Sequence, residues 1–361
     1  MRADPSGAVE LGEAIGREAD VERLWTTLVE RNVILSGRLG IGKTTLARLA
    51  VADAPTGWSG QLVSLGDVRN GPDACAAVVE TLVSDDEVRP DQLGGEPPAA
   101  LRVAIDAALD RCAAGLVLAL DDFDRWLAAT AKLPAVGYAP FTSTLARACA
   151  EQPKLRIVLI SNTHLDRTIS RLRPEPLIGL MEGAARIELD SLTAESGARL
   201  VMALLLGESI TARDRAAFAR SLADNCDHVP RWIHCAMAYF ARRRKPIVDG
   251  DLERCLIEAV ADLERPPWTL RRELAPALDD YMQPQRGLAL SVLDQLALAE
   301  DQALTFTELR RSLAVELTID DDAIRRVVAE LLGDQLIRES GGQLRFHGEL
   351  LRNAWLKLRY L

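Results

Sequence analysis

The 361-residue sequence lacks several features that would assign it to a class at once. It has no run of about 18 consecutive apolar residues, the minimum for a candidate membrane-spanning helix. The first five residues form no apolar core, so we expect no secretory signal. No segment recurs at a period of roughly 20 to 50 residues, which argues against a solenoid or a propeller. With 48% hydrophobic and 27% charged residues, the composition is that of a globular protein without a membrane segment.

Paired cysteines and an excess of basic charge are also missing. The six cysteines are scattered with no CxxC pair, and each lies among Ala and Leu residues, so we interpret them as small buried side chains. This usage fits a reducing, cytoplasmic compartment. The formal net charge is −10, which argues against a protein that mainly grips nucleic-acid phosphates. Abundant alanine, with more arginine than lysine, favours a GC-rich bacterial source.

The first half alternates short apolar runs with helical patterns, which predicts a parallel sheet covered by helices. The predicted strands cover residues 32–36, 61–65, 116–120, 156–161 and 186–189. The predicted crossover helices cover residues 44–52, 73–82, 98–112 and 140–152. We expect the polar segment 83–97 to be a surface loop.

Strand patterns stop near residue 191, and four helical patterns follow at 193–207, 211–225, 230–243 and 248–262. The last 75 residues then show three short helical patterns and a hairpin pattern over 336–346, which is the order of a winged helix. Thr318 and Asp320 are candidate caps for the third of these helices. We therefore predict three parts: a core over 1–190, a helical lid over 191–275, and a winged-helix domain over 276–361.

One segment carries a specific chemical signature. Residues 37–44 match the pattern G-x-x-x-x-G-K-[ST], and they follow a predicted strand and open a predicted helix. In such a loop the backbone N–H groups surround phosphates, Lys43 reaches the β- and γ-phosphates, and Thr44 binds Mg²⁺. The pattern predicts binding of ATP with Mg²⁺. The expected contact residues here are Gly37, Gly40, Ile41, Gly42, Lys43, Thr44 and Thr45.

Two further strands end in polar residues that complement this loop. Asp121 and Asp122 follow the apolar run 116–120, and Asn162 follows the run 157–160. We expect Asp121 to hold Mg²⁺ and Asp122 to orient or deprotonate the attacking water. Asn162 is expected to hydrogen-bond the γ-phosphate or that water. Taken alone, the two acids also fit a helix N-cap, and the asparagine also fits a turn.

Together these motifs resemble the AAA+ and STAND branches of P-loop ATPases, especially the clade that contains archaeal origin initiators. Residues 16–24, GREADVERL, resemble the segment that precedes the first strand and helps enclose the adenine, which implies a contact from Arg17. The resemblance implies an α/β fold of the RecA/ASCE-like P-loop type, with a helical lid and a winged-helix domain. It also assigns Asn162 to the sensor-1 position.

The resemblance implies further site residues beyond the core motifs. Pro230 stands where STAND proteins have the proline of a G-x-P motif, and Arg231 stands where initiators have a sensor-2 arginine, although the usual glycine is missing. A proline that merely starts a helix, followed by a solvated arginine, is the plainer interpretation. Residues 164–174 contain three arginines, of which Arg171 is our candidate finger acting on a neighbouring subunit. The plainer alternative is a solvated helix face.

The resemblance also bears on what the ATPase does. Motors of the AAA+ class usually have Asp-Glu where this chain has Asp121-Asp122, and Asp-Asp is typical of STAND switches. This favours slow hydrolysis and a nucleotide-set conformation that controls a protein partner or self-assembly. Because an effector domain is not recognisable here, the partner is expected to be a separate protein, as in bacterial conflict and defence systems.

The alternative is a DNA-directed ATPase that grips duplex through its winged helix. Acidic residues outnumber basic ones over 287–361, and the third helix of this domain begins with three aspartates, which disfavours DNA. A metabolic kinase would leave the lid and the winged helix unexplained.

Overall fold

A computed structural model describes residues 1–6, 9–83, 95–133, 136–162, 165–172, 175–275, 281, 284–314 and 320–361. The chain divides into two compact units. The sheet unit comprises Arg17–Gly37 and Lys43–Leu189, and the helical unit comprises Met1–Gly16, Arg38–Gly42 and Asp190–Leu361. The predicted boundaries near residues 190 and 275 stay predictions.

The sheet unit is built on five strands. In chain order they are β1 (Val33–Ser36), β2 (Trp58–Ser64), β3 (Gly115–Asp121), β4 (Leu155–Ser161) and β5 (Ala185–Glu188). Their order across the sheet is β2-β3-β4-β1-β5, and every neighbouring pair is parallel. Parallel neighbours need crossover connections. The helices of this unit are α1 (Glu18–Leu28), α2 (Lys43–Ala52), α3 (Gly71–Val83), α4 (Pro97–Asp110), α5 (Phe123–Thr130), α6 (Ala139–Glu151), α7 (Leu165–Leu172) and α8 (Glu175–Met181).

Burial explains the apolar runs of the sheet. All seven residues of β3 are buried, as expected for a parallel strand covered on both faces. Trp126 of α5 is 1% exposed and packs against Phe123 and Phe141, with ring centroids 5.7 Å and 5.3 Å away. These aromatic contacts hold α5 and α6 in the core that also contains β3 and β4.

The strand order brings three strand ends together. Because β4 lies between β1 and β3, Ser36 is in register with Ser161, and Leu120 is in register with Leu159. Ligands of open α/β sheets bind beyond the carboxyl ends of the strands. The segments that follow β1, β3 and β4 are therefore neighbours at the edge where such a ligand is expected.

The helical unit begins with a 3-10 turn at Leu11–Glu13 and continues with helices after residue 193. These helices are α9 (Ala194–Gly207), α10 (Arg215–Asn225), α11 (Pro230–Arg243), α12 (Asp251–Ala261) and α13 (Arg271–Ala275). Side chains cap two of them: Thr193 accepts from the Ser196 N–H, and Asp214 accepts from the Ala217 N–H.

The C-terminal end of this unit combines helices with a small antiparallel sheet. The helices are α14 (Gln285–Leu298), α15 (Phe306–Ala314), α16 (Asp321–Gly333) and α17 (Glu349–Arg359), and the strands are β6 (Leu304–Thr305), β7 (Ile337–Ser340) and β8 (Gln343–Phe346). The sheet order is β6-β8-β7. Three helices followed by a hairpin agree with the predicted order. Trp355 of α17 is fully buried.

The predicted elements are mostly confirmed, with differences at their ends. Strand β2 begins at Trp58 rather than residue 61, because the segment from Trp58 to Gly60 continues the pairing with β3. Helix α12 begins at Asp251 rather than residue 248, since Gly250 has φ +81° just before it. The segment 84–94 and Thr318 lie outside the described residues.

The structure also bears on the expectations about the cysteines and about membrane-spanning helices. All six cysteines are free, and four of them are buried. Burial raises the pKa of the Cys75 thiol to about 12, as expected for a small hydrophobic side chain. Within the described ranges, no helix is long and apolar enough to cross a membrane.

Candidate nucleotide-binding site

The loop from Gly37 to Thr44 joins β1 to α2, the position that the sequence predicts for it. All three of its glycines have positive φ angles. Gly40 has φ +77° and Gly42 has φ +102°, a region that other residues rarely adopt. A Cβ atom on Gly40 would lie 2.5 Å from Cβ of Arg231, so Gly40 is also restricted by a close neighbour.

Lys43 and Thr44 form the first turn of α2. The side chain of Lys43 is buried, and its Nζ donates to the Gly37 carbonyl across the loop at 2.7 Å. The first turn of a helix also presents N–H groups and the positive end of the helix dipole. Positive charge and N–H donors thus lie together at the turn that phosphates are expected to occupy.

Asp121 ends β3 and contacts the loop directly. Thr44 Oγ1 donates to Asp121 Oδ2 at 2.7 Å, and the Asp122 N–H donates to Asp121 Oδ1 at 3.0 Å. Asp121 is 8% exposed. Burial raises the pKa of its carboxyl, and the charge of Asp122 adds to the rise, while Thr44, the Asp122 N–H and Lys43 oppose it.

Asp122 and Asn162 meet beside this pair. Asp122 lies between β3 and α5 with left-handed backbone angles, φ +55° and ψ +31°. Asn162 Nδ2 donates to Asp122 Oδ1 at 3.3 Å, and the Asn162 N–H donates to Asp124 Oδ2 at 3.2 Å. The ends of β3 and β4 therefore hold one carboxylate and one amide against each other, as the strand order requires.

These residues fit Mg²⁺ and a nucleotide phosphate chain. Mg²⁺ favours oxygen ligands and is usually held by one or two protein groups together with substrate phosphates and water. The hydroxyl of Thr44 and the carboxylate of Asp121 already lie 2.7 Å apart. In the part of the chain that the structure describes, no group of three or more His, Cys, Asp and Glu residues is arranged to hold a metal alone.

Four further predicted site residues lie in or outside the loop: Arg17, Ile41, Thr45 and Arg171. Arg17 precedes α1, is 5% exposed, and donates from Nη1 to Asp20 Oδ2 at 2.8 Å. Ile41 is fully buried, and Thr45 is half-buried in α2. Arg171 belongs to α7, but its side chain lies outside the described residues. The roles of these residues stay predictions.

Pro230 and Arg231 begin α11, and both belong to the helical unit, as does Gly40. The Arg231 N–H donates to the Gly40 carbonyl at 3.2 Å. Its guanidinium donates to Thr269 Oγ1 at 2.7 Å and to the Pro267 carbonyl at 3.2 Å. Arg231 thus contacts the loop through its backbone, and its side chain contacts the segment after α12.

The turn before Pro230 contains no glycine. Asp227 and His228 both adopt left-handed backbone angles, with φ +50° and +55°, just before Pro230. Glycine favours this conformation, and Asp and His are among the residues that tolerate it best. The turn into α11 is therefore kept without glycine.

A second set of contacts around the loop was not predicted. The Arg38 guanidinium, 4% exposed, pairs with Glu273 at 3.1 Å and lies 4.4 Å from the centre of the Trp232 ring. The sequence offered only a weak signal, an arginine where the loop pattern accepts any residue. Its partners are isolated polar and aromatic residues hundreds of positions away, with no periodic pattern.

Comparison with known proteins gives similarity in structure alone. No protein-family model matches the sequence, and no curated protein matches it. The Walker-type ATPase of Pyrococcus abyssi is similar in fold, with a TM-score of 0.64 and 15% identity over 95% of this chain and 96% of that one. The ORC2 protein of Aeropyrum pernix, in complexes with ADPNP and ADP, gives a TM-score of 0.55 and 16% identity over 96% and 95% of the two chains. The chain therefore shares the fold of these P-loop ATPases.

Proposed function

We propose that this protein binds ATP with Mg²⁺ at the loop 37–44 and hydrolyses it slowly as a molecular switch. The observation that carries the proposal is the hydrogen bond between Thr44 and Asp121, at 2.7 Å. It joins the end of the P-loop to the buried carboxylate at the end of β3, which is the pair that holds Mg²⁺ in P-loop enzymes.

Each polar group of the site has a role in this proposal. Lys43 binds the β- and γ-phosphates, and Thr44 and Asp121 hold the metal, which neutralises charge on the phosphates. Asp122 accepts a proton from, or orients, the attacking water. Asn162 donates to Asp122 at 3.3 Å and so fixes the position of that carboxylate.

Slow turnover follows from the second carboxylate. Asp122 is one methylene shorter than the Glu usual in AAA+ motors, and its carboxylate accepts a hydrogen bond from the Asn162 side-chain amide. A shorter side chain places the carboxylate nearer the backbone and farther from the phosphate chain, and misplaced catalytic groups reduce the rate steeply. A bound nucleotide that persists is suited to setting a conformation.

The similar fold of the two archaeal proteins supports nucleotide binding. One is described as a Walker-type ATPase, and the other was solved with ADPNP and ADP. Because identity is 15% and 16%, the likeness bears on fold, and the site residues carry the rest of the proposal.

We infer that residues 276–361 form a winged-helix domain that docks on a protein partner. In such domains the third helix, here α16, is the one that enters a DNA groove. One of its two arginines contacts the rest of the domain: the Arg325 guanidinium lies 4.3 Å from the Phe306 ring centre. An aspartate of the same helix, Asp321, pairs with Arg310 of α15 at 2.7 Å. The α16 surface is thus mixed in charge, which favours a protein partner. The proposed setting, a cytoplasmic regulatory or defence system, does not depend on this surface.

DNA remains the alternative partner, and exposed arginines favour it. Arg326 of α16 and Arg338 of β7 are both exposed. Gel shift with generic duplex DNA at low salt separates the alternatives, because phosphate contacts are strongest there. Protein docking predicts no shift, and a shift lost in Arg326→Ala would replace docking with DNA binding.

The switch is tested by light scattering coupled to size exclusion, with and without ATP and Mg²⁺. We expect nucleotide to change the assembly state or the hydrodynamic radius of the wild type and to leave Lys43→Ala unchanged. Steady-state ATPase assays on the same samples should give a slow rate. A monomer of unchanged radius, or fast sustained hydrolysis, would contradict the switch.

A further inference from the structure

Arg38 belongs to the nucleotide loop, but its side chain is buried in the helical unit. Its Nη2 donates to Glu273 Oε2 at 3.1 Å, and both side chains are nearly inaccessible, at 4% and 3% exposed. The guanidinium also lies over the Trp232 ring, 4.4 Å from its centre. A cation–π contact combined with an ion pair suits arginine specifically.

The partners of Arg38 are themselves connected. Trp232 Nε1 donates to Glu273 Oε1 at 2.7 Å, so the carboxylate joins the indole to the guanidinium. Trp232 belongs to α11 and Glu273 to α13. One arginine of the loop is therefore held by two separate helices.

The C-terminal part of the chain holds the same residue by two more hydrogen bonds. The Arg38 backbone N–H donates to Gln335 Oε1 at 3.0 Å, and Arg38 Nη1 lies 3.1 Å from His347 Nδ1. Burial, with the charges of Arg38 and Arg338, lowers the pKa of His347 to about 3. The imidazole is neutral, so Nδ1 accepts the bond and the proton lies on Nε2.

We propose that Arg38, with Glu273, Trp232, Gln335 and His347, is a latch that controls release of the nucleotide. The inference rests on the proposed function and adds the regulation of its site. Residues 38–42 and the phosphate-binding Lys43 are continuous in the chain, so segments that fix Arg38 also fix the shape of the phosphate loop. Breaking the latch frees the loop to open.

A purely structural role for these contacts makes a different prediction. Removing one member of a buried ion pair leaves the other charge unpaired and destabilises the fold, whereas removing both charges restores much of the stability. A latch stays broken in the double variant. Stability and nucleotide release therefore separate in Arg38→Met combined with Glu273→Gln, where the glutamine still offers Trp232 an acceptor.

The experiment measures release of a fluorescent ADP analogue by stopped flow, with thermal unfolding of each protein in parallel. We expect Arg38→Met and Glu273→Gln each to speed release about tenfold, within the usual range of coupling between sites. The double variant should regain stability and keep the fast release. Recovery of slow release together with stability would overturn the latch.

Two further variants test whether faster release could result from a general loss of stability. Gln335→Asn shortens the side chain that accepts from the Arg38 N–H, and asparagine tolerates the left-handed backbone of residue 335, φ +54°. We expect release about threefold faster, as one hydrogen bond implies. Arg254→Met, which removes an exposed arginine from its pair with the buried Asp251 of α12, is the matched control and should release ADP at the wild-type rate.

Hydrogen exchange separates failure of the latch from failure of nucleotide binding. Without nucleotide, the amides of residues 38–42 should exchange faster in the Arg38→Met/Glu273→Gln variant than in the wild type. If the wild type binds no nucleotide, the proposed function and the control of release both fail, whatever the exchange result. Tight binding with unchanged release and exchange in the variant refutes the latch alone.

Discussion

Replacing Asp121 by asparagine should stabilise the protein without ligand and impair it with ligand. The Asp121 carboxylate is 8% exposed, and burial raises its pKa above the ordinary value of 3.8. In Asp121→Asn, the amide oxygen can accept from the Asp122 N–H, and the amide nitrogen can donate to Thr44 Oγ1. Both hydrogen bonds survive, and a buried negative charge disappears.

The sign of the pH dependence follows from the raised pKa. The folded wild type binds this proton more tightly than the unfolded chain, so its stability falls as pH rises from the unfolded pKa through the folded one. Asp121→Asn lacks this loss. The variant should therefore be only slightly more stable than the wild type near pH 4, and its extra stability should reach its full value above the pKa of Asp121 in the folded protein.

We expect the free energy of unfolding of Asp121→Asn to exceed that of the wild type by about 1 kcal/mol. This is typical when a group that serves function at the expense of stability is removed. In a unit of this size this difference raises the unfolding temperature by about 2–4 °C. Scanning calorimetry in EDTA at pH 4.5 and pH 7.5 measures it.

With saturating ATP and Mg²⁺, the wild type should become more stable than Asp121→Asn. Ligand at 100 times its dissociation constant stabilises the wild type by about 2.7 kcal/mol, and the variant by much less, since the metal loses its carboxylate. If Asp121→Asn is less stable than the wild type in EDTA at pH 7.5, or gains equally from ATP and Mg²⁺, the account of this site is refuted.

Three other substitutions test separate parts of the site and core. Asp122→Asn keeps the left-handed turn but removes the charge, so single-turnover ATP hydrolysis should fall by about 10²–10⁴ while nucleotide affinity stays within threefold; an unchanged rate would exclude Asp122. Asn162→Ala removes the donor to Asp122 and should lower the same rate about tenfold with unchanged unfolding temperature; a loss of affinity alone would contradict its positioning role. Trp126→Ala leaves a cavity beside Phe123 and Phe141 and should lower the free energy of unfolding in urea by about 3–5 kcal/mol; a loss below 1 kcal/mol would show that the site relaxes.

The sheet unit was largely predictable because its signals are local. Parallel strands buried on both faces read as apolar runs, and 116–120 has this form. The loop 37–44 is predictable because glycine geometry and phosphate binding require a fixed spacing. The start of β2 was missed because Trp58, Ser59 and Gly60 show no apolar run, and pairing with β3 decides their conformation.

Contacts over long sequence separations were not predictable. Arg38 and Glu273 are 235 residues apart. The sequence contains many other arginines and glutamates, and no sequence pattern distinguishes this pair from them. Only the folded chain selects Trp232 as the ring beneath that guanidinium. The turn before Pro230 was likewise not predictable, because two residues other than glycine, Asp227 and His228, adopt left-handed backbone angles there.

The most direct test of the central claim is equilibrium binding of a fluorescent ATP analogue, with Mg²⁺, to the wild type and to Lys43→Ala. Lys43 Nζ bonds the loop carbonyl of Gly37 at 2.7 Å and should exchange this contact for phosphate oxygens. Loss of charge-assisted hydrogen bonds worth about 2–3 kcal/mol predicts affinity weaker by about 30- to 150-fold in the variant. Equal affinity in the two proteins, or no binding to the wild type, would contradict the assignment of this loop as a nucleotide site.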